Sequence, residues 1–180
     1  ATDVQLHRYA SWSAGYEAFT RLVGTGHLDG RTIRYVAERG RGRSFYRGEE
    51  IHINATEHGR RGRVIVHELG HWLEEQTADL HEEVMKHYIS RTQGEVGVPL
   101  STMFPGSGYR RDEISKRDKW IDPYSGKDYV QIGRRNSEIV SMTLEQLYSD
   151  PYHMITADPD TFDMLWRMLR SKNRPPRGTR

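Results

Sequence analysis

The stretch Val64-Ile65-Val66-His67-Glu68-Leu69-Gly70-His71-Trp72-Leu73-Glu74-Glu75 constrains this chain more than any other. Residues four apart on an α-helix lie one above the other, so His67 and His71 project from one face about 6 Å apart and can grip one metal ion. Glu68 projects beside them. Imidazole nitrogens suit Zn²⁺, and a carboxylate next to the first ligand can reach the fourth coordination position and take a proton from water there. A solvated helix face is the competing reading, because the chain carries nine histidines. The apolar Val64, Ile65, Val66, Leu69 and Trp72 favour an amphipathic, largely buried helix instead, in which histidines need partners. Gly70 is a poor helix former, placed where a small residue lets another backbone or a substrate approach closely.

His67-Glu68-Leu69-Gly70-His71, followed downstream by Ser137-Glu138-Ile139-Val140-Ser141-Met142, resembles the gluzincins, zinc metallopeptidases whose third ligand is a Glu on a later helix. More narrowly, Asp122-Pro123-Tyr124-Ser125-Gly126-Lys127, the Glu138 to Met142 stretch and Asp158-Pro159-Asp160 look like the zincin-like domains of phage head-morphogenesis proteins and bacterial polymorphic toxins. The likeness spans residues 32 to 170. It implies a zincin-like α+β domain with a small antiparallel or mixed sheet packed on the metal helix and a mainly helical C-terminal half. It also implies a Zn²⁺ cofactor held by His67, His71 and Glu138, a protein or peptide substrate, and a phage-associated or delivered-effector context.

Three glutamates compete for the third ligand position. Glu74 shares the helix with both histidines, whereas tetrahedral zinc needs a ligand from another direction. Thr77, ten residues after His67, cannot be the third ligand of a metzincin. Glu138 and Glu145 are about 10.5 Å apart along one helix, so only one of them reaches the metal. The gluzincin pattern selects Glu138 and leaves Glu145 as a carboxylate supporting a ligand from behind. Met142 stands where some gluzincins have an Asp, so the partners of the zinc-binding histidines are unassigned.

At 180 residues the chain fits one domain over residues 1–171, followed by a basic, Pro-rich tail over 172–180 that is expected to be disordered. Mean hydropathy is −0.83, and no apolar run reaches the ~18 residues of a membrane span, which predicts a soluble globular protein with no membrane partner. The start at Ala1 suggests a domain of a larger polypeptide. Net charge is only +2, and the arginine clusters Arg39 to Arg43, Arg60 to Arg63 and Arg110 to Lys119 are interleaved with acids, so they read as solvated loop edges rather than a nucleic-acid surface. With no cysteine, thiol catalysis and Cys-rich zinc sites are excluded.

Periodicity predicts a first helix over 11–23 and strands over 32–36, 44–46 and 50–54, the last two joined by a tight turn at Arg47-Gly48-Glu49. By resemblance, the strand containing Ile51, His52 and Ile53 is the cleft edge that pairs with an extended substrate. The metal helix should run from 61 to 75. A second helix over 80–92 is expected to be capped by Asp79 with Glu82 and to be largely exposed, with His81 and His87 as surface or packing residues. Residues 94–135 are irregular and read as a wall or lid of the cleft. In that segment Tyr124 and Tyr129 are candidate phenol donors to an oxyanion, weighed against simple packing of the loop. A helix capped at Asn136 or Ser137 ends at Pro151, and a last one runs from Pro159 to Arg170 with Phe162, Leu165, Trp166 and Leu169 inward.

These features predict a zinc metallopeptidase in which Glu68 is the general base. The alternatives are an inactive zincin-fold module, in which zinc only stabilises the fold, and a nucleic-acid-binding module.

Overall fold

Fifteen residues that the sequence marks as one amphipathic helix, Arg61–Glu75, are enclosed on several sides in the computed structural model. The structure describes residues 10–28, 30–38, 42–54, 61–128 and 136–172. Tyr129, Arg39, Arg41, Arg60 and the tail beyond Lys172 lie outside the described residues. Within them the chain is α+β. Its helices are α1 (Ala10–Val23), α2 (Arg61–Glu75), α3 (Ala78–Arg91), α4 (Leu100–Met103), α5 (Glu138–Ser149), α6 (Pro151–Ala157) and α7 (Pro159–Lys172). Its strands are β1 (Arg34–Glu38), β2 (Phe45–Arg47), β3 (Glu50–Asn54), β4 (Val98–Pro99) and β5 (Ile114–Ser115). No described helix is long and apolar enough to cross a membrane.

The first sheet has the order β1-β3-β2, with β1 parallel and β2 antiparallel to β3. Two residues, Gly48 (φ 58°) and Glu49 (φ 71°), join β2 to β3, and positive φ at both is the hairpin turn whose twist matches its strands. This order corrects one expectation: β3, with Ile51, His52 and Ile53, is the central strand and cannot be the substrate edge. Its backbone groups are used on both sides, and Ile51 and Ile53 are buried in the core. His52 instead stacks on Phe45 (4.4 Å between ring centroids) and bonds Glu38 through Nδ1 (2.7 Å). Short β4 and β5 form a second, antiparallel ladder inside the segment expected to be irregular.

Helix α2 contributes Ile65, Val66, Leu69, Trp72 and Leu73 to the core, each essentially inaccessible to water. Burial of such side chains stabilises by about 1.5–3 kcal/mol apiece. Two glycines bring its neighbours unusually close. A Cβ on Gly15 of α1 would lie 2.6 Å from the carbonyl oxygen of Gly62, and one on Gly70 would lie 2.6 Å from Cα of Ser141 in α5. The close approach expected at Gly70 is therefore made by another backbone.

Helix α3 departs from its expected cap: Thr77 is the N-cap, without a side-chain cap bond, and Asp79 falls in the first turn. The helix buries Leu80, Val84 and Tyr88. Arg91 near its end bonds Asp118, Asp158 (2.6 Å), Thr161 (2.6 Å) and the Lys119 carbonyl (2.9 Å), and lies over the Trp120 ring at 4.1 Å. One planar cation thus fastens the loop 118–120 and α7 to α3. Pro151 does not simply end a helix. Asp150 closes α5 and caps α6, accepting from the His153 N–H, with Pro151 at the first helical position. In α7 Met164, Leu165 and Leu169 are buried, while Phe162 and Trp166 are half-buried and stack on each other at 5.7 Å.

Two measurements probe this packing. Gly70→Ala gains helix propensity but places a methyl on the Ser141 backbone, so a net loss of about 1–3 kcal/mol is expected in denaturant melts; a more stable variant would contradict the close approach. Half-buried His87 bonds Thr161 (2.9 Å), and burial, then Arg91, lowers its pKa below the ordinary 6.5 despite Asp158, Asp160 and Asp118 nearby. Its contribution to stability is complete above pH 6.5 and is lost as the pH falls from there toward the depressed folded value. His87→Gln should therefore lose less Tm than the parent between pH 7 and pH 5, and identical slopes would refute the assignment.

Candidate metal centre

The site is assembled by α2 and α5, which pack against each other where Gly70 meets Ser141. His67 and His71, one turn apart, present rings 4.9 Å apart at 86°. Glu138 opens α5 opposite them. Its Oε2 lies 3.3 Å from Nε2 of His67 and 3.4 Å from Nε2 of His71. With zinc bonds of 2.0–2.2 Å, two ligand atoms of a tetrahedron stand ~3.4 Å apart, so these separations fit a shared zinc ion. The three ligand atoms all lie within 4.8 Å of one another, the only such group of three among the described residues.

Hydrogen bonds hold the ligands. Glu145, two turns along α5, bonds Nδ1 of His67 through Oε2 (2.7 Å) and Arg63 through Oε1 (2.5 Å). A bond at Nδ1 turns the Nε2 lone pair toward the site. Ser141 donates to Glu138 Oε2 at 3.2 Å. Nδ1 of His71 is buried and has no partner among the described residues.

Glu74 is no ligand. Fully buried, it accepts from the Ser137 N–H (2.9 Å) and hydroxyl (3.0 Å), and pairs with His81 Nδ1 (2.9 Å). Ser137 is the N-cap of α5, its hydroxyl accepting from the Ile139 N–H. Helix α2 therefore grips the N-terminus of the helix that carries Glu138.

The electrostatics favour positive charge here. Burial opposes charge on His67, but hydrogen bonds with Glu138 and Glu145 outweigh it and push its pKa up to about 10. Burial likewise opposes the Glu138 carboxylate, yet both histidines hold it well below its ordinary value. Buried carboxylates that stabilise a positive charge on His67 are the electrostatic setting a cation needs, and two nitrogens with one carboxylate oxygen suit a divalent ion. Glu68 is only 5% exposed, and burial raises its pKa against the opposing pull of His67, His71 and Arg43.

A cleft of about 550 Å³ opens over the site, with His67 and Glu68 in its wall, and an adjoining hollow of about 230 Å³ also reaches His71 and Glu138. Tyr124 lines both; its ring is largely buried against Tyr109 (5.6 Å), and its oxygen accepts from Lys127 Nζ at 3.3 Å. Packing and a cleft position thus coexist in one residue. Ser44, Phe45 and Tyr46 also line the hollow, so β2 borders the site where β3 was expected.

Sequence reasoning missed Arg43, which it grouped with solvated arginines, and the Glu113–Lys127 pair (2.7 Å) that lines the hollow. The spacing of Arg43 just ahead of a strand was visible; that this strand flanks the metal helix was not.

Comparison of the chain with protein-family models, curated proteins and solved structures finds no match in any of them.

The purified protein is expected to bind close to one zinc per chain. Glu138→Ala should abolish most of that affinity, while Glu145→Ala, which removes only the support behind His67, should cost about 10–100-fold in calorimetric titrations. A reversed order of effects would exchange their roles.

Proposed function

We propose that this chain is a zinc-dependent metallopeptidase of zincin-like fold that hydrolyses peptide bonds in a protein or peptide substrate. The reading is carried by one observation: two imidazole nitrogens and a carboxylate oxygen converge within 4.8 Å of one another, with buried Glu68 opening onto the same cleft. His67, His71 and Glu138 would hold the ion, and zinc bound there supplies Lewis acidity that polarises a carbonyl and acidifies water.

The chain's own groups then divide the remaining work. Glu68 takes the proton from the attacking water and passes it to the departing amine, so no covalent intermediate is needed. A carboxylate whose pKa is raised by burial is a stronger base toward the attacking water, and its acid form is still far more acidic than the ammonium it creates on the departing amine. Glu145, braced by Arg63, keeps the His67 ring in register, and Ser141 does the same for Glu138. Tyr124 is the candidate donor to the developing oxyanion. Among the described residues β2 pairs only with β3, so its outer edge is open for an extended peptide to add as a strand. A zinc site that served folding alone would have no use for a base, and buried Glu68 favours the peptidase over that rival.

Glu68→Gln keeps the size of the side chain and all three ligands. It should retain about one zinc per chain and lose ~10² or more in the rate of cleavage of a denatured protein substrate. Equal rates for variant and parent would show that Glu68 is not the base.

A further inference from the structure

The arginine and lysine side chains that line the cleft and the hollow are matched by carboxylates with one exception. Arg63 is bound to Glu145 and Lys127 to Glu113. Arg43 lines both the cleft and the adjoining hollow, its side chain exposed, and makes no ion pair with a carboxylate among the described residues. Its guanidinium lies 5.7 Å from the centroid of the Tyr124 ring, which is itself stacked on Tyr109. It also hydrogen-bonds the Tyr124 side chain, and a guanidinium, with five N–H donors, still has others to offer a planar oxyanion. Arg43 is also close enough to Glu68 and Glu138 for its charge to act on both.

Building on the peptidase reading, we propose that Arg43 is a specificity determinant that selects substrates presenting a carboxylate near the scissile bond. Arg43 stands two residues ahead of β2, and side chains of a peptide lying along that edge alternate between faces, so one substrate position meets the guanidinium. Polyanions are a poor match, because Glu68, Glu113, Asp122 and Glu145 share the cleft and repel a run of phosphates. One carboxylate against one arginine is the complement. That carboxylate is either an acidic side chain or the free C-terminus of the peptide.

The test is cleavage of a proteome-derived peptide library by the zinc-loaded protein and by Arg43→Gln and Arg43→Glu, with every cut site sequenced. Arg43 is exposed, and both variants lose its contact with Tyr124 alike, so the difference between them reads the charge at this position. The parent is expected to prefer Asp or Glu about tenfold at one position beside the cut; Arg43→Gln should lose that preference, and Arg43→Glu should replace it with Lys or Arg. If the terminal carboxylate is the target, cuts will instead fall at a fixed distance from the C-terminus, and amidation will abolish them in the parent but make no difference in Arg43→Gln. An acidic preference that survives in Arg43→Gln overturns the proposal. So does an equal loss of rate on all sequences, which would make Arg43 part of the reaction itself. No cleavage of any peptide by the zinc-loaded parent would reject the peptidase reading, whereas cleavage without carboxylate preference would reject only the role of Arg43.

Discussion

The site depends on how closely two helices approach. His67 and His71 belong to α2 and Glu138 to α5, and their donor atoms converge only because Gly70 lets the Ser141 backbone sit where a side chain would otherwise be. Polar contacts flank that point on both sides. Toward the C-terminal end of α2, Glu74 holds the Ser137 cap; toward its N-terminal end, Glu145 reaches His67 and Arg63. Packing sets the distance between the helices, and these two carboxylates set their relative rotation. A core built from apolar contacts alone would tolerate sliding that this convergence of side chains cannot.

Four carboxylates crowd this small volume, and each has a distinct employment. Glu138 faces the histidines, Glu145 supports one of them, Glu74 anchors a helix end, and Glu68 faces the cleft. Burying so many acids is unfavourable unless cations or donors answer them. His81, Arg63, Ser137 and Ser141 supply most of that answer, and the direction of the His67 shift records the remainder.

Local chemistry made much of this legible in the sequence. Helix α2 begins and ends where its pattern does, Ser137 caps α5, and Gly48 marks the turn between β2 and β3. What escaped was long-range. Ile51 and Ile53 alternate like any half-buried strand, and nothing in that alternation says whether the strand is central or at the edge. Asp150-Pro151 carries the same capping signal as Asp158-Pro159, yet the proline was read as a stop, because a helix that restarts without a loop looks like one that ends. The pairings of Glu145 with His67 and Glu74 with Ser137 join residues 78 and 63 positions apart, beyond any periodicity.

That separation also bears on the unfolded chain. Helices α2 and α5 are joined through more than sixty residues, including the loops of the central segment, and the protein contains no cysteine with which to cross-link them. An ion bound jointly by His71 and Glu138 would act as a removable cross-link. Tying the ends of a loop that long restricts the denatured ensemble by about 4 kcal/mol in the chain-entropy treatment used for disulfides. Metal supply would then set the resistance of the whole fold to unfolding as well as the chemistry of the cleft, because the same two side chains govern both.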